Sequence, residues 1–349
     1  MIFCDRIALM EKLKSEKTRG IWNRLPKPIL GLAPMANVTD TVFRRIIAKY
    51  GKPDIFFTEF VSCDGLCSEG KEKLLVDLRY VKEEHPIIAQ FFGAKPEYFY
   101  RCAKLAQEMG FDGIDINMGC PDRGVEKQGA GAALMKNPAL AKEIIRETKR
   151  GAGALPVSVK TRLGYNQESL DEWIPSLLEE EPAALIIHAR TRKEMSLVPA
   201  RWNDIRKAVE IVQKAGSHTL VLGNGDVKDR TDAVEKIRES GADGALIGRG
   251  IFGNPWLFNK ERDYRHIPLD EKLRVLVEHA FLFEKEFIGV KNFEIMKKHF
   301  KAYASGFAEA KELRIQLMGA DNALEVQEMI EKWLSRHHAR VAPGVLQSI

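Results

Sequence analysis

Frameworks of disulfides or metal ligands are the first things this sequence lacks. Its 349 residues include five cysteines, Cys4, Cys63, Cys67, Cys102 and Cys120. The number is odd. Cys63 and Cys67 have no second spaced pair to complete a zinc or iron–sulfur site. Reduced thiols in a cytoplasmic protein are the expectation. No apolar run reaches the length of a membrane span. Asp5, Arg6 and Glu11 interrupt the apolar residues of the N-terminal segment, unlike the apolar centre of a signal peptide. Strong one-sided charge is missing too. A net charge of +5 is compatible with a polyanionic partner but does not require one. No Gly-x-Gly-x-x-Gly follows the first apolar run, which argues against a doubly wound dinucleotide-binding sheet. What remains, 45% apolar and 30% charged, describes an ordinary soluble chain.

A regular alternation is present. Continuous apolar runs fall at 29–35, 55–60, 86–92, 113–117, 156–161, 184–189, 219–224 and 244–248. Continuity rather than alternation suits parallel strands buried on both faces. Helical stretches lie between them, at 40–50, 95–109, 137–150, 168–178, 202–215 and 232–240. Pro96 and Pro138 stand at helix starts, and Gly110 and Gly151 at helix ends. Eight strand–helix units over about 250 residues predict a (β/α)8 barrel. From Pro268 the strand pattern stops, and 270–287, 292–303, 308–317 and 322–336 read as helices. The expected organisation is an extension over 1–28, a catalytic barrel over 29–262, a helical domain over 268–340 and a tail over 341–349.

Barrel sites form at the C-terminal ends of the strands. Here those ends read Ala33-Pro34-Met35-Ala36, Thr58-Glu59-Phe60, Gln90-Phe91-Phe92-Gly93, Asn117-Met118-Gly119-Cys120-Pro121, Lys160-Thr161-Arg162, His188-Ala189-Arg190-Thr191-Arg192, Gly223-Asn224-Gly225-Asp226 and Gly248-Arg249-Gly250. Eight polar or glycine-rich ends on one rim imply a large polar ligand. Asn224-Gly225-Asp226 and Gly248-Arg249 offer main-chain N–H groups and a guanidinium where such barrels bind phosphate. A phosphate joined to an extended ring, faced by Pro34-Met35 and Gln90, fits flavin mononucleotide (FMN). Lys160 near that ring suits negative charge on its reduced form. Cys120 ends the fourth strand, with Asn117 three residues before it.

These motifs, with Gly129-Ala130-Gly131-Ala132-Ala133-Leu134 after the cysteine, resemble the tRNA-dihydrouridine synthase family. The resemblance runs from about residue 29 to 258 and more weakly into the helical region. It implies an FMN-dependent oxidoreductase that reduces the C5–C6 double bond of particular uridines in tRNA, with NADPH or NADH as electron donor. It implies that Pro34, Met35, Ala36, Gln90, Lys160, His188, Asn224, Gly225, Asp226, Gly248 and Arg249 bind FMN. Hydride would pass from flavin N5 to C6, and Cys120 would give a proton to C5. Asn117, Arg162 and Arg190 would contact the substrate. The partner is tRNA, with no metal, no membrane and a monomeric chain expected. The loop Lys193-Glu194-Met195-Ser196-Leu197-Val198-Pro199-Ala200 departs from the family pattern, which usually has an aromatic and a glycine there. Lys297, Lys298, His299 and Lys301, with Lys311 and Arg314, are candidates for a basic helical face. A flavin barrel acting on a free pyrimidine, or a tRNA binder with an inactive barrel, are the competing readings.

Overall fold

The computed structural model describes residues 19–341; most of the expected extension, residues 1–18, and the end of the tail, 342–349, lie outside the described residues. Eight parallel strands form one sheet: β1 (Ile29–Leu32), β2 (Phe56–Ser62), β3 (Ile87–Phe92), β4 (Gly113–Asn117), β5 (Val157–Arg162), β6 (Ala184–His188), β7 (Leu220–Asn224) and β8 (Gly244–Ile247). Their order is β1-β8-β7-β6-β5-β4-β3-β2. The two ends of that order meet. Gly31 bridges Ile55 in parallel, Leu32 N donates to Ile55 O at 3.2 Å, and Asp54 N donates to Leu30 O at 2.9 Å. The sheet closes on itself, the (β/α)8 barrel implied by the sequence.

Intervening helices are α1 (Thr41–Gly51), α2 (Pro96–Glu108), α3 (Pro138–Ala152), α4 (Leu170–Leu178), α5 (Trp202–Lys214) and α6 (Arg230–Ser240). Their starts follow local chemistry. Asn137 accepts from Leu140 N at 3.2 Å with Pro138 in the first turn, and Asp229 accepts from Asp232 N at 2.9 Å. Strand β1 stops three residues earlier than expected. Pro34 has no N–H for a ladder, and Met35 N turns instead to Thr39 Oγ1 at 3.0 Å.

Side chains two apart on a strand share a face, so the strand register identifies the barrel interior. Gln90 pairs with Asp115 and Asp115 with Ser158; Asn117 pairs with Lys160, Lys160 with Ile186 and Ile186 with Leu222; Arg162 pairs with His188 and His188 with Asn224. Towards the strand N-termini the filling is apolar, with Ile29, Phe57, Ile88, Ala184, Ile186, Leu220 and Leu222 in one cluster. Trp22, from the turn Gly20–Asn23 that precedes β1, belongs to the same cluster and is 1% exposed. Towards the strand C-termini, on β3 to β5, the filling becomes polar and charged. The sequence therefore builds a dry floor under a polar rim.

Two compact units are distinguished. One comprises the chain up to Thr41 together with Pro53–Gly250, and the other Val42–Lys52 together with the chain from Ile251. The second contains most of α1 and the helices α7 (Leu269–Phe287), α8 (Lys297–Tyr303), α9 (Ala310–Leu317) and α10 (Ala323–Val341). Within it, Phe43 of α1 faces His279 and His299, with ring centroids 5.8 and 5.1 Å away. Lys49 Nζ and Tyr50 Oη each donate to Glu278 at 2.6 Å. The helix expected over 292–303 is divided: Asn292 accepts from Glu294 N and starts a tight turn, Phe293–Met296, before α8 begins. His299 is 1% exposed, packed 4.6 Å from the His279 ring, so it belongs to the core and not to a basic face. Lys297 is paired with Glu294.

Candidate active site

The turn that carries Cys120 is built by its neighbours. Asn117 Oδ1 accepts from Gly119 N at 3.1 Å and Cys120 N at 2.9 Å. Ala132 N donates to Cys120 O at 2.9 Å. Gly131 makes that contact possible: its φ is +59°, and a Cβ there would stand 2.7 Å from Cys120 O. Asp122 then accepts from Gly124 N at 2.8 Å and Val125 N at 3.2 Å, starting the short helix Arg123–Lys127. The Cys120 side chain is partly exposed at the rim. Burial raises its pKa, more than the Asp122 N–H, Arg162 and Lys160 lower it. The thiol form therefore dominates at neutral pH, the state a proton donor needs.

Arg162, at the end of β5, clamps two loops. Its Nε donates to Gly119 O at 2.7 Å, and its Nη1 donates to Thr191 O and Met195 O, both at 3.1 Å. Burial lowers its pKa to about 10, which leaves it cationic. Arg192 pairs with Glu126, tying the loop after β6 to the helix after Cys120. Neither the Glu126 pairing nor the threefold use of Arg162 is visible in strand-end motifs, because both depend on how two loops meet. In the loop after β6, Leu197 is 86% exposed, and Met195 and Val198 are also exposed.

A second cluster lies on β6, β7, β8 and the end of β1. Its cleft is lined by Pro34, Met35, His188, Arg190, Asn224, Gly225, Asp226, Gly248 and Arg249, together with Ser196 from the β6 loop. Asn224 Nδ2 donates to Leu246 O at 2.9 Å, which leaves Oδ1 to accept from Lys160 Nζ at 3.2 Å. Gly225 adopts φ +121°, where a Cβ would meet the His188 ring at 3.0 Å. Trp202 Nε1 holds this turn by donating to Gly225 O at 2.9 Å.

Positive charge dominates the cleft. His188 is pushed down to about 2, first by burial and then by Lys160, Arg162, Arg190 and Arg249. It is a neutral imidazole, and Arg190 Nη1 lies 3.2 Å from its Nε2. Burial and the nearby Arg162 lower Lys160 to about 8, against the pull of Asp115 and Cys120. Among the described residues, Asp226 is the one carboxylate in the cleft lining. It is paired with Arg190, accepts from Ala200 N at 2.9 Å and lies 3.1 Å from Arg249 Nη2. A cleft with this surplus of cations and an open glycine turn fits a bound phosphate.

Of the residues expected at the site, the cleft gathers Pro34, Met35, His188, Asn224, Gly225, Asp226, Gly248 and Arg249 directly, and Lys160 through Asn224. Arg190, expected beside the substrate, stands with Asp226 in this cleft. Gln90 lies deeper, bonded to Asn117 at 3.1 Å. Ala36 is outside the cleft lining. Asp115 and Ser158, beneath Gln90, escaped sequence reasoning. The signal was an acidic residue inside the 113–117 run, two residues before Asn117 and so on the same face.

Fold and rim define a (β/α)8 barrel that carries a thiol, after β4, on the same rim as a phosphate-suited cleft. The chain belongs to the dihydrouridine synthase family, whose model, described as Dihydrouridine synthase (Dus), matches residues 31–338. It is similar to a Staphylococcus aureus protein named "Probable tRNA-dihydrouridine synthase", 42% identical over 318 residues that cover 90% of this chain and 95% of that one. A Bacillus subtilis protein, "Probable tRNA-dihydrouridine synthase 2", is 40% identical and covered to 96%. Among solved structures, a 2-naphthoyl-CoA reductase complex superposes with a TM-score of 0.50 at 12% identity, covering 70% of this chain and 52% of that one. That likeness concerns the fold alone.

Proposed function

We propose that this protein reduces the C5–C6 double bond of uridines in tRNA, with FMN as its resident cofactor and NADPH (or NADH) as reductant. The observation that carries the reading is the placement of Cys120, kept as a thiol, on the same rim as a cationic cleft. The cleft fits FMN by its donor set. Gly225, Gly248 and Arg249 would hold the phosphate, with Asp226 fixed by Arg190, and Pro34 and Met35 would offer apolar contact to the ring. When bound and reduced, FMN supplies the hydride equivalent for C6 of the uracil.

Every other part falls to the chain's own side chains. Lys160 offers a positive charge to an anionic ring. Cys120 Sγ carries the proton destined for C5. Asn117 can donate one N–H to a uracil carbonyl, because its other groups are engaged. Arg162 contributes its Nη2 edge in the same way. His188 stays neutral and takes no part as a base, which separates this site from a Cys–His nucleophilic pair. Reaching the rim requires the uridine to leave its stack. The apolar tip of the β6 loop, at Met195, Leu197 and Val198, is where flanking RNA would meet the barrel.

The absorbance of the purified protein tests the cofactor. A flavin spectrum, with FMN released on denaturation, is expected. A protein that cannot be reconstituted with FMN would favour the tRNA-binder reading. Turnover of free uracil at a rate matching tRNA would favour a free-pyrimidine enzyme.

A further inference from the structure

One charged side chain inside the barrel has no place in that reading. Asp115 is 0% exposed. Its Oδ1 accepts from Ser158 Oγ at 2.5 Å and its Oδ2 accepts from Gln90 Nε2 at 2.6 Å. Gln90 Oε1 in turn accepts from Asn117 Nδ2 at 3.1 Å. Asn117 Oδ1 accepts from the main-chain N–H groups of Gly119 and Cys120. These bonds form one unbroken chain from Ser158 on β5, through β4 and β3, to the turn that holds the thiol.

The chain has a direction, and Asp115 sets it. An ionised carboxylate can only accept, so it selects the NH2 end of Gln90. Gln90 must then show its carbonyl to Asn117. Asn117 must spend an N–H there and aim its carbonyl at the Cys120 turn. Reversing either amide would place two carbonyls or two NH2 groups face to face. Burial raises Asp115 to about 6, with Ser158, Gln90 and Lys160 pulling the other way, so it is ionised at neutral pH. A buried carboxylate costs stability when its charged form is desolvated. A role that packing alone served would be better filled by an apolar residue.

We propose that Asp115 is a positioning residue that fixes the orientation of the Gln90 and Asn117 amides and, through them, the main-chain N–H groups of the Cys120 turn. The proposal rests on the functional reading above only for its consequence in catalysis. The hydrogen-bond chain itself can be tested without cofactor or RNA.

The test is residue-resolved amide hydrogen exchange on the FMN-free protein, comparing wild type with Asp115→Leu and Asp115→Asn. Asp115→Leu removes the acceptor, and exchange at Gly119 and Cys120 should rise about tenfold, as expected for one lost hydrogen bond. Asp115→Asn keeps an acceptor for Gln90 and can donate to Ser158, so it should stay near wild type. Should Asp115→Leu not fold, Gln90→Met breaks the same chain one link further on and should raise exchange at the same two amides. With FMN restored, Asp115→Leu should lower turnover on tRNA while FMN affinity changes only a few-fold. Unchanged exchange at Gly119 and Cys120 would overturn the proposal. A rise spread evenly through β3, β4 and β5 would overturn it too, because it would mark Asp115 as a general support of the sheet. An inactive wild type would count against the proposed function and leave the exchange result standing.

Discussion

The single residues of the rim owe their states to their neighbours. Cys120 is a thiol because burial outweighs the two nearby cations. His188 is neutral because burial, and then four nearby cations, oppose a further charge. Nuclear magnetic resonance of His188 should therefore show no titration between about pH 5 and 8, where an ordinary histidine changes charge. A midpoint near the usual value would mean that the ring is neither buried nor faced by those cations. Lys160 has the opposite exposure to pH. Its lowered pKa, about 8, leaves the ammonium in place below that pH and removes it above. Lys160→Met should make bound FMN harder to reduce, read as a more negative potential. The difference from wild type should shrink as pH rises through about 8 in the same titration. Equal potentials at neutral pH would exclude Lys160 from the ring's surroundings.

Elements explain why some of this site was legible in the sequence and some was not. The strands were readable because each is buried on both faces, and an apolar run without alternation has few other uses. Their ends were readable because polar groups cannot continue into the floor around Trp22 and Phe57. What the loops do with those ends was not. Arg162 and Arg190 both follow apolar strands, yet one closes over Gly119 and the other over Asp226. That division depends on contacts across sequence separations no motif spans. His299 was misread for a related reason: in α8 a histidine among lysines looks solvated, but it points at Phe43 and His279. Loop geometry gives its own prediction. Gly131→Ala places a methyl against Cys120 O at a positive φ, and should destabilise the protein by about 1–3 kcal/mol in denaturant titration. Leu197→Ala, at an 86% exposed site, should leave stability within about 0.5 kcal/mol while raising the KM for tRNA. An unchanged KM would remove the β6 loop tip from the RNA contact.

At the scale of the whole molecule, two buried groups govern stability. Trp22 fills the barrel floor from outside the strand repeat, and Trp22→Ala should lose about 3–5 kcal/mol in the same titration. A loss under about 1 kcal/mol would mean the floor closes without it. In the helical unit, burial lowers His279 to about 3 and lowers His299 as well. An unfolded histidine titrates near 6.5. Below about pH 6.5 the unfolded chain therefore binds more protons than the folded one, and stability falls as pH falls. Replacing His279 with Phe should flatten that acid loss of stability, measured by thermal unfolding across pH. A slope equal to wild type would show that the pair does not control it.

The central claim joins a protonated Cys120 to uridine reduction in tRNA. Its most direct test is dihydrouridine, counted by mass spectrometry in unmodified tRNA after incubation with FMN-loaded protein and NADPH. Wild type should convert uridine, and Cys120→Ala, still yellow and still reduced by NADPH, should convert it about 10²–10⁴ times more slowly, the range of a lost proton donor. Conversion by Cys120→Ala at the wild-type rate, or no dihydrouridine from a flavin-loaded wild type, would contradict the account.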